Sequence, residues 1–195
     1  MKNISFAVAL LTVFSARAEK ITVGGAEVLS PALREALAAE NPALTLSGAG
    51  LPELLAGEVD LLFTARYLNA AELRQARRLG VTAHPFTFAY DGLAVIVSGD
   101  SPLTEISRVE VERGADVELA RVSLLKDHLQ GRRILPVDGL LPTSAAVQGR
   151  SYPYIQGVYV YTRGLPEGGV REAIRYLTGP KARKIIMRHG MVPGR

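Results

Sequence analysis

The residues best placed to do chemistry lie in one stretch, SGAGLPELLAGEVDLLFTARYL, from Ser47 to Leu68. Ser47-Gly48-Ala49-Gly50 is a small-residue turn. Leu51, Leu54 and Leu55 follow at i, i+3, i+4 spacing, the apolar face of a helix that starts where the turn ends. The first backbone N–H groups of a helix have no partner inside it, so such a turn offers donors to an anion. The same pattern is also that of an ordinary strand–turn–helix–strand connection, and the residues alone leave both readings open.

Catalytic chemistry finds little to work with. His84, His128 and His189 are far apart and lack metal-ligand spacing such as HExxH. There is no G-x-S-x-G elbow, no P-loop and no G-x-G-x-x-G. Glu53, Glu58 and Asp60 read as helix-surface and loop carboxylates rather than an acid–base pair. Cysteine is absent, which removes disulfide and thiol chemistry. The expectation is a protein that is not an enzyme and uses neither metal nor cofactor.

The elements that must position the Ser47 turn follow from the apolar pattern. Residues 1–18 read as a secretory signal peptide. Lys2 gives a positive start, Ile4 to Phe14 an apolar stretch too short to span a bilayer, and Ala16-Arg17-Ala18 a cleavage site before Glu19. Lys20 to Val23 is a first strand and Gly24-Gly25 the turn out of it. Leu29, Leu33, Ala36, Leu37 and Glu40 mark a helix closed by Asn41-Pro42, and Ala43 to Leu46 a second strand. Gly57 ends the helix at Leu51, and Val59 to Thr64 is a nearly continuous apolar run, the mark of a strand buried on both faces. Ala70 to Leu79 is a charged helix with Asn69 as N-cap, and Gly80 ends it. Val81 to His84 and Leu93 to Ser98 read as two further strands, with Tyr90-Asp91-Gly92 between them. Strands alternating with helices predict an α/β fold with a mostly parallel sheet flanked by helices.

Residues 104–131 differ. They are rich in charge and carry a helix-like pattern at Val117, Val122, Leu125 and Leu129. Near the end, Val170, Ile174 and Leu177 face inward on one helix and Ala182, Ile185 and Ile186 on the next. From Arg163 onward eight Lys or Arg stand against two Glu, and they fall mainly on the outer faces, as solvated charge does. The formal net charge of +4 loses two cations, Lys2 and Arg17, with the leader. That is too mild to argue for nucleic acid. No later apolar run reaches membrane-spanning length, so an integral membrane protein is not expected.

SGAGLPELLAGEVDLLFTARYL resembles the corresponding segment of the periplasmic phosphate-binding proteins that feed ABC phosphate transporters. Further matches follow in the family's order: GGAEVLSPAL, AYDGLAVIVSGDSPL, ILPVDGLLPTSAAVQGRSYPYIQGVYVYTRG and the closing helix pair through ARKIIMRHGMVPG. The resemblance covers most of the chain after Ala18. It implies a periplasmic-binding-protein-like α/β fold, a phosphate or similar oxyanion as ligand, and an ABC permease or other envelope protein as partner. Three loops at the carboxyl ends of parallel strands would hold the ligand. They are the amides of Ala26, Glu27 and Val28, then Ser47 with the amides of Gly48, Ala49 and Gly50, then Thr64 and Arg66.

Departures from the family pattern temper that expectation. Glu27 stands where a hydroxyl residue is usual, and a carboxylate there repels an anion. Ala65 replaces a serine before Arg66. The second-lobe arginine and its serine-glycine-threonine loop have no counterpart in residues 104–131. Residues 104–133 stand in place of most of a second lobe, leaving a compact single lobe over 19–195. The reading is a secreted or periplasmic solute-binding-like protein with weak oxyanion affinity. The alternative is a degenerate member of the family that serves as an envelope protein-interaction module and binds no small solute.

Overall fold

The computed structural model describes residues 20–125 and 129–194. The expected signal peptide, its cleavage site before Glu19, and His128 lie outside the described residues.

The chain begins β1 (Ile21–Gly24), α1 (Pro31–Glu40), β2 (Leu44–Leu46), α2 (Leu51–Ala56), β3 (Leu61–Thr64) and α3 (Ala70–Arg78). Local chemistry explains the boundaries. The Ser30 hydroxyl accepts from the Leu33 N–H to cap α1, with Pro31 at its first position, where a missing donor costs nothing. Gly57 ends α2 in the left-handed conformation, φ 82°. Asn69 caps α3 by accepting from Ala71 and Glu72, while the Glu72 carboxylate accepts from the Asn69 N–H, a complete capping box.

A single long strand follows, β4 (Ala83–Ser98). Then come α4 (Arg108–Glu112), β5 (Glu118–Arg121), α5 (Val122–Leu125), β6 (Arg132–Leu135), α6 (Ser144–Gln148) and β7 (Ile155–Arg163). The chain closes with α7 (Gly168–Thr178), α8 (Pro180–Arg188) and β8 (Val192–Pro193). The sheet runs β2-β1-β3-β7-β4-β5, with β6 and β8 also pairing β4. The α/β class stands, with a correction to the sheet. Parallel pairing is confined to β2, β1 and β3, and β7 returns antiparallel between β3 and β4. Strand–helix alternation signals parallel crossovers, but β7 comes back from a distant segment and brings no crossover of its own.

Two more sequence expectations are corrected. Val81–His84 and Leu93–Ser98 are not separate strands, because β7 pairs with Ala83–Gly92 and holds the intervening Tyr90-Asp91-Gly92 extended. The pattern from Val117 to Leu129 is not one helix. Glu118–Arg121 pairs with Leu93–Ile96 as β5, and only Val122–Leu125 turns helical before the undescribed residues. A short amphipathic run fits either period, and here the free edge of β4 decides.

The main core packs α1, α7 and α8 on one face of the sheet, around Leu33, Leu37, Phe63, Phe88, Leu177 and Ile186. Leu54, Leu62, Leu68, Tyr159 and Tyr161 form a second cluster on the other face with residues of α2 and α3. Beyond Gly92 a smaller core gathers Val95, Val97, Ile106, Leu135, Val137 and Tyr152. Among the described residues no helix is long and apolar enough to cross a membrane.

Candidate functional site

Two glycines bring the end of β1 against the loop after β2 and the last residues of β3. A Cβ on Gly24 would lie 2.4 Å from the Ala49 carbonyl oxygen, and one on Gly25 would lie 2.1 Å from that of Phe63. Gly25 also takes φ +66°, a left-handed conformation that glycine alone adopts without cost. No side chain fits between these backbones. The Gly25 N–H donates to Ala49 O at 2.7 Å and the Ala26 N–H to Ser47 O at 2.9 Å.

That closeness engages most of the donors expected to face a ligand. The Val28 N–H donates to Gly25 O at 3.0 Å, inside a short 3₁₀ turn over Ala26–Val28. Both the N–H and the hydroxyl of Ser47 donate back to Val23 O, at 2.8 and 3.2 Å. The Ala49 N–H makes a long contact of 3.4 Å to Ser47 Oγ, and the Gly50 N–H donates to Glu53 Oε2 at 2.7 Å. The amides of Glu27 and Gly48 donate to no partner among the described residues. The Glu27 side chain is exposed, yet its Oε2 lies 3.8 Å from where a Cβ on Gly48 would sit. Its carboxylate therefore leans over the turn that carries one of those two open amides.

The third loop is tied elsewhere. Thr64 Oγ1 donates to Arg66 O at 2.7 Å. The Arg66 guanidinium forms a bidentate pair with Glu72, 2.8 Å on each arm, and also donates to Tyr67 O at 3.0 Å. The Arg66 bond to Glu72 holds that carboxyl down to about 2, well below the usual range. Tyr67 lies against Tyr159 with ring centroids 4.0 Å apart. Burial pushes the Tyr159 hydroxyl up to about 12.

Residues 104–131 do send an arginine to these loops. Arg121, at the end of β5, donates to the Val28 carbonyl from a half-buried position. Burial lowers its pKa and the Asp91 charge opposes that shift. Asp91 is buried and accepts from the Ser123 hydroxyl at 2.5 Å and the Ser123 N–H at 3.3 Å. Burial raises the Asp91 carboxyl, and the Ser123 bonds work against the rise. The sequence pattern hides Arg121 and Ser123 within the helix-like 117–129 run, and Asp91 in the break between two strands that the structure joins into β4. Among the described residues no group of three or more His, Cys, Asp or Glu is arranged to hold a metal ion.

A family profile described as PBP superfamily domain matches residues 14–113, just over half of the chain. The chain belongs to that superfamily. Solved structures agree on the PBP-like fold. A putative phosphate ABC transporter substrate-binding protein with bound phosphate from Clostridium perfringens is similar at TM-score 0.68 and 13% identity, covering 91% of this chain and 100% of that one. An ABC-type phosphate transport receptor from Vibrio cholerae is similar at TM-score 0.64 and 17% identity, covering 90% and 100%. A possible phosphate binding protein from Planctomyces limnophilus is similar at TM-score 0.60 and 15% identity, covering 91% and 94%. No curated protein sequence matches the chain. The PBP-like reading taken from the sequence thus holds at the level of fold.

Proposed function

We propose that this PBP-superfamily chain is a periplasmic solute-binding-like protein that takes phosphate or a related oxyanion weakly at the three converging loops. In this reading residues 1–18 are a signal peptide removed after Ala18. Residues 104–133 stand in place of most of a second lobe, and an ABC permease or another envelope protein is the partner. One observation carries the reading. Gly24 and Gly25 let the first loop pack on the backbones of Ala49 and Phe63, and the amides of Glu27 and Gly48 have no acceptor among the described residues. Backbone N–H donors without an acceptor, one in the short turn after β1 and one in the turn before α2, favour an anion. The likeness in fold to phosphate-binding proteins adds support.

A second observation favours the rival, an interaction module of the envelope without a small solute. The remaining expected donors already have partners, and Glu27 holds its own carboxylate beside Gly48. Both readings meet in one experiment, calorimetric titration of wild type and Glu27→Thr with inorganic phosphate at low and physiological ionic strength, with thermal melts of each. Weak, salt-sensitive binding by wild type is expected, because an open site leaves charged contacts hydrated and screened. Glu27→Thr is expected to bind tighter by about 1–3 kcal/mol, the scale of a charge-assisted hydrogen bond. Absence of binding by either protein hands the site to the rival reading.

A further inference from the structure

Tyr90 and Asp91 are neighbours on an extended strand, so their side chains leave opposite faces of it. Asp91 turns to Ser123. Tyr90 turns into a cleft of about 1070 Å³ that shares no lining residue with the three loops. Val147, Tyr152 and Met191 are buried along its wall. Its charged lining is three arginines, Arg108, Arg150 and Arg183, against one carboxylate, Asp138.

Most of that charge is already engaged. Asp138 Oδ1 accepts from the Arg108 N–H at 3.1 Å, Arg108 pairs with Glu112 at 2.6 Å, and Arg183 donates to Gly194 O at 2.7 Å. Arg150 has no carboxylate partner among the described residues, and its guanidinium lies 5.6 Å from the centre of the Tyr90 ring.

The backbone at Arg150 is the second observation. Its φ is +55°. The Arg150 N–H donates to Val147 O and the Ser151 N–H to Ala146 O, the closing bonds of α6. At such a helix end the left-handed residue is ordinarily glycine. Here Gly149 sits one position early, at φ −75°, which any residue adopts. Asp138, the other non-glycine with positive φ among the described residues, belongs to an Asp-Gly turn where that conformation is ordinary. Arg150 has no such explanation. The fold carries a strained arginine where glycine fits better, and its guanidinium stands at the cleft wall.

We propose that this cleft binds an amphiphilic monoanion, an aryl or medium-chain alkyl carboxylate. The apolar body lies against Tyr90, Val147 and Met191, and the carboxylate pairs with the Arg150 guanidinium. The cleft has ample room for such a molecule, since small-molecule sites run to about 1,000 Å³. A planar guanidinium free of acids matches a carboxylate in two-pronged geometry. The site is independent of the oxyanion loops and stands or falls without them.

The test is titration of the full chain with octanoate and with phenylpropionate, read by tyrosine fluorescence and calorimetry. Saturable one-to-one binding is expected with at least one of them. The corresponding neutral amide should bind at least about tenfold more weakly, the loss of one charge-assisted pair. Arg150→Gly should also weaken the acid by about tenfold while melting no lower than wild type, because glycine suits that backbone. Excess inorganic phosphate should displace nothing. No saturable binding of either acid, equal binding of the amide, full affinity in Arg150→Gly, or displacement by phosphate would each overturn the proposal. So would self-association that buries Arg150, which would put a second copy in the cleft.

Discussion

Gly25 shows how one residue sets the candidate site. Its left-handed φ and the Phe63 carbonyl, 2.1 Å from any added Cβ, are separate penalties at one position. Gly80 provides the internal comparison, with φ +70° and nothing within 4 Å of an added Cβ. Gly80→Ala should cost about 1 kcal/mol, the backbone penalty alone. Gly25→Ala should cost more than about 3 kcal/mol, because backbone strain and overpacking add. Urea unfolding of the two variants decides, and equal losses would mean the loops separate easily. Arg66 makes the complementary point. An arginine after a strand reads as an anion donor, but Glu72 in the first turn of α3 claims it.

Among the elements, β4 has the most to coordinate. Its first part pairs with β7 and its last part with β5 and β6, so one strand runs through both packing units. Asp91 sits at the changeover, buried and bonded to Ser123 at the start of α5. Ser123→Ala removes the donor that favours the ionised carboxylate. At neutral pH the loss should be about 1–3 kcal/mol, the cost of leaving a buried acceptor without its partner. The sign with pH follows. Burial already raises the Asp91 carboxyl, and losing the Ser123 hydroxyl bond, while the backbone N–H bond stays, raises it further. Acidification through that raised value neutralises the group, so the difference between variant and wild type shrinks as pH falls. Denaturation at neutral and mildly acidic pH measures it. A loss independent of pH would show that Asp91 is already protonated at neutrality.

For the whole molecule, the cores are unequal. The main core draws on α1, α7, α8 and the central strands, whereas beyond Gly92 the burial is split between a cluster of six side chains and a smaller one of Ala94, Ile96 and Leu125. Apolar burial dominates local stability, so β5 and β6 should open at lower free energy than β3 and β7. Hydrogen exchange should show β5 and β6 amides losing protection first. Uniform protection would mean that β4 couples both units into one cooperative whole. The Arg121 contact with Val28 O joins the smaller unit to the first loop, so Arg121→Gln should widen the difference.

Several features were legible in the sequence because they rest on local chemistry. The Asn69 cap, the Gly57 stop, the apolar face of α2 and the inward residues of α7 and α8 each follow from spacing within one turn or one strand. The order of motifs carried the PBP-like fold as well. Pairing across distance was not legible. The place of β7 between β3 and β4, the continuity of β4 and the strand at Glu118–Arg121 depend on which edge is free after the rest has folded. The same holds at the candidate site. Residue types supplied the list of donors, but hydrogen-bond satisfaction is a property of neighbours. Only the tertiary structure decided that Ser47, Gly50 and Arg66 are engaged, and that Arg121 reaches the first loop. A backbone or guanidinium donor looks free in a sequence until the partner that another segment brings to it is known.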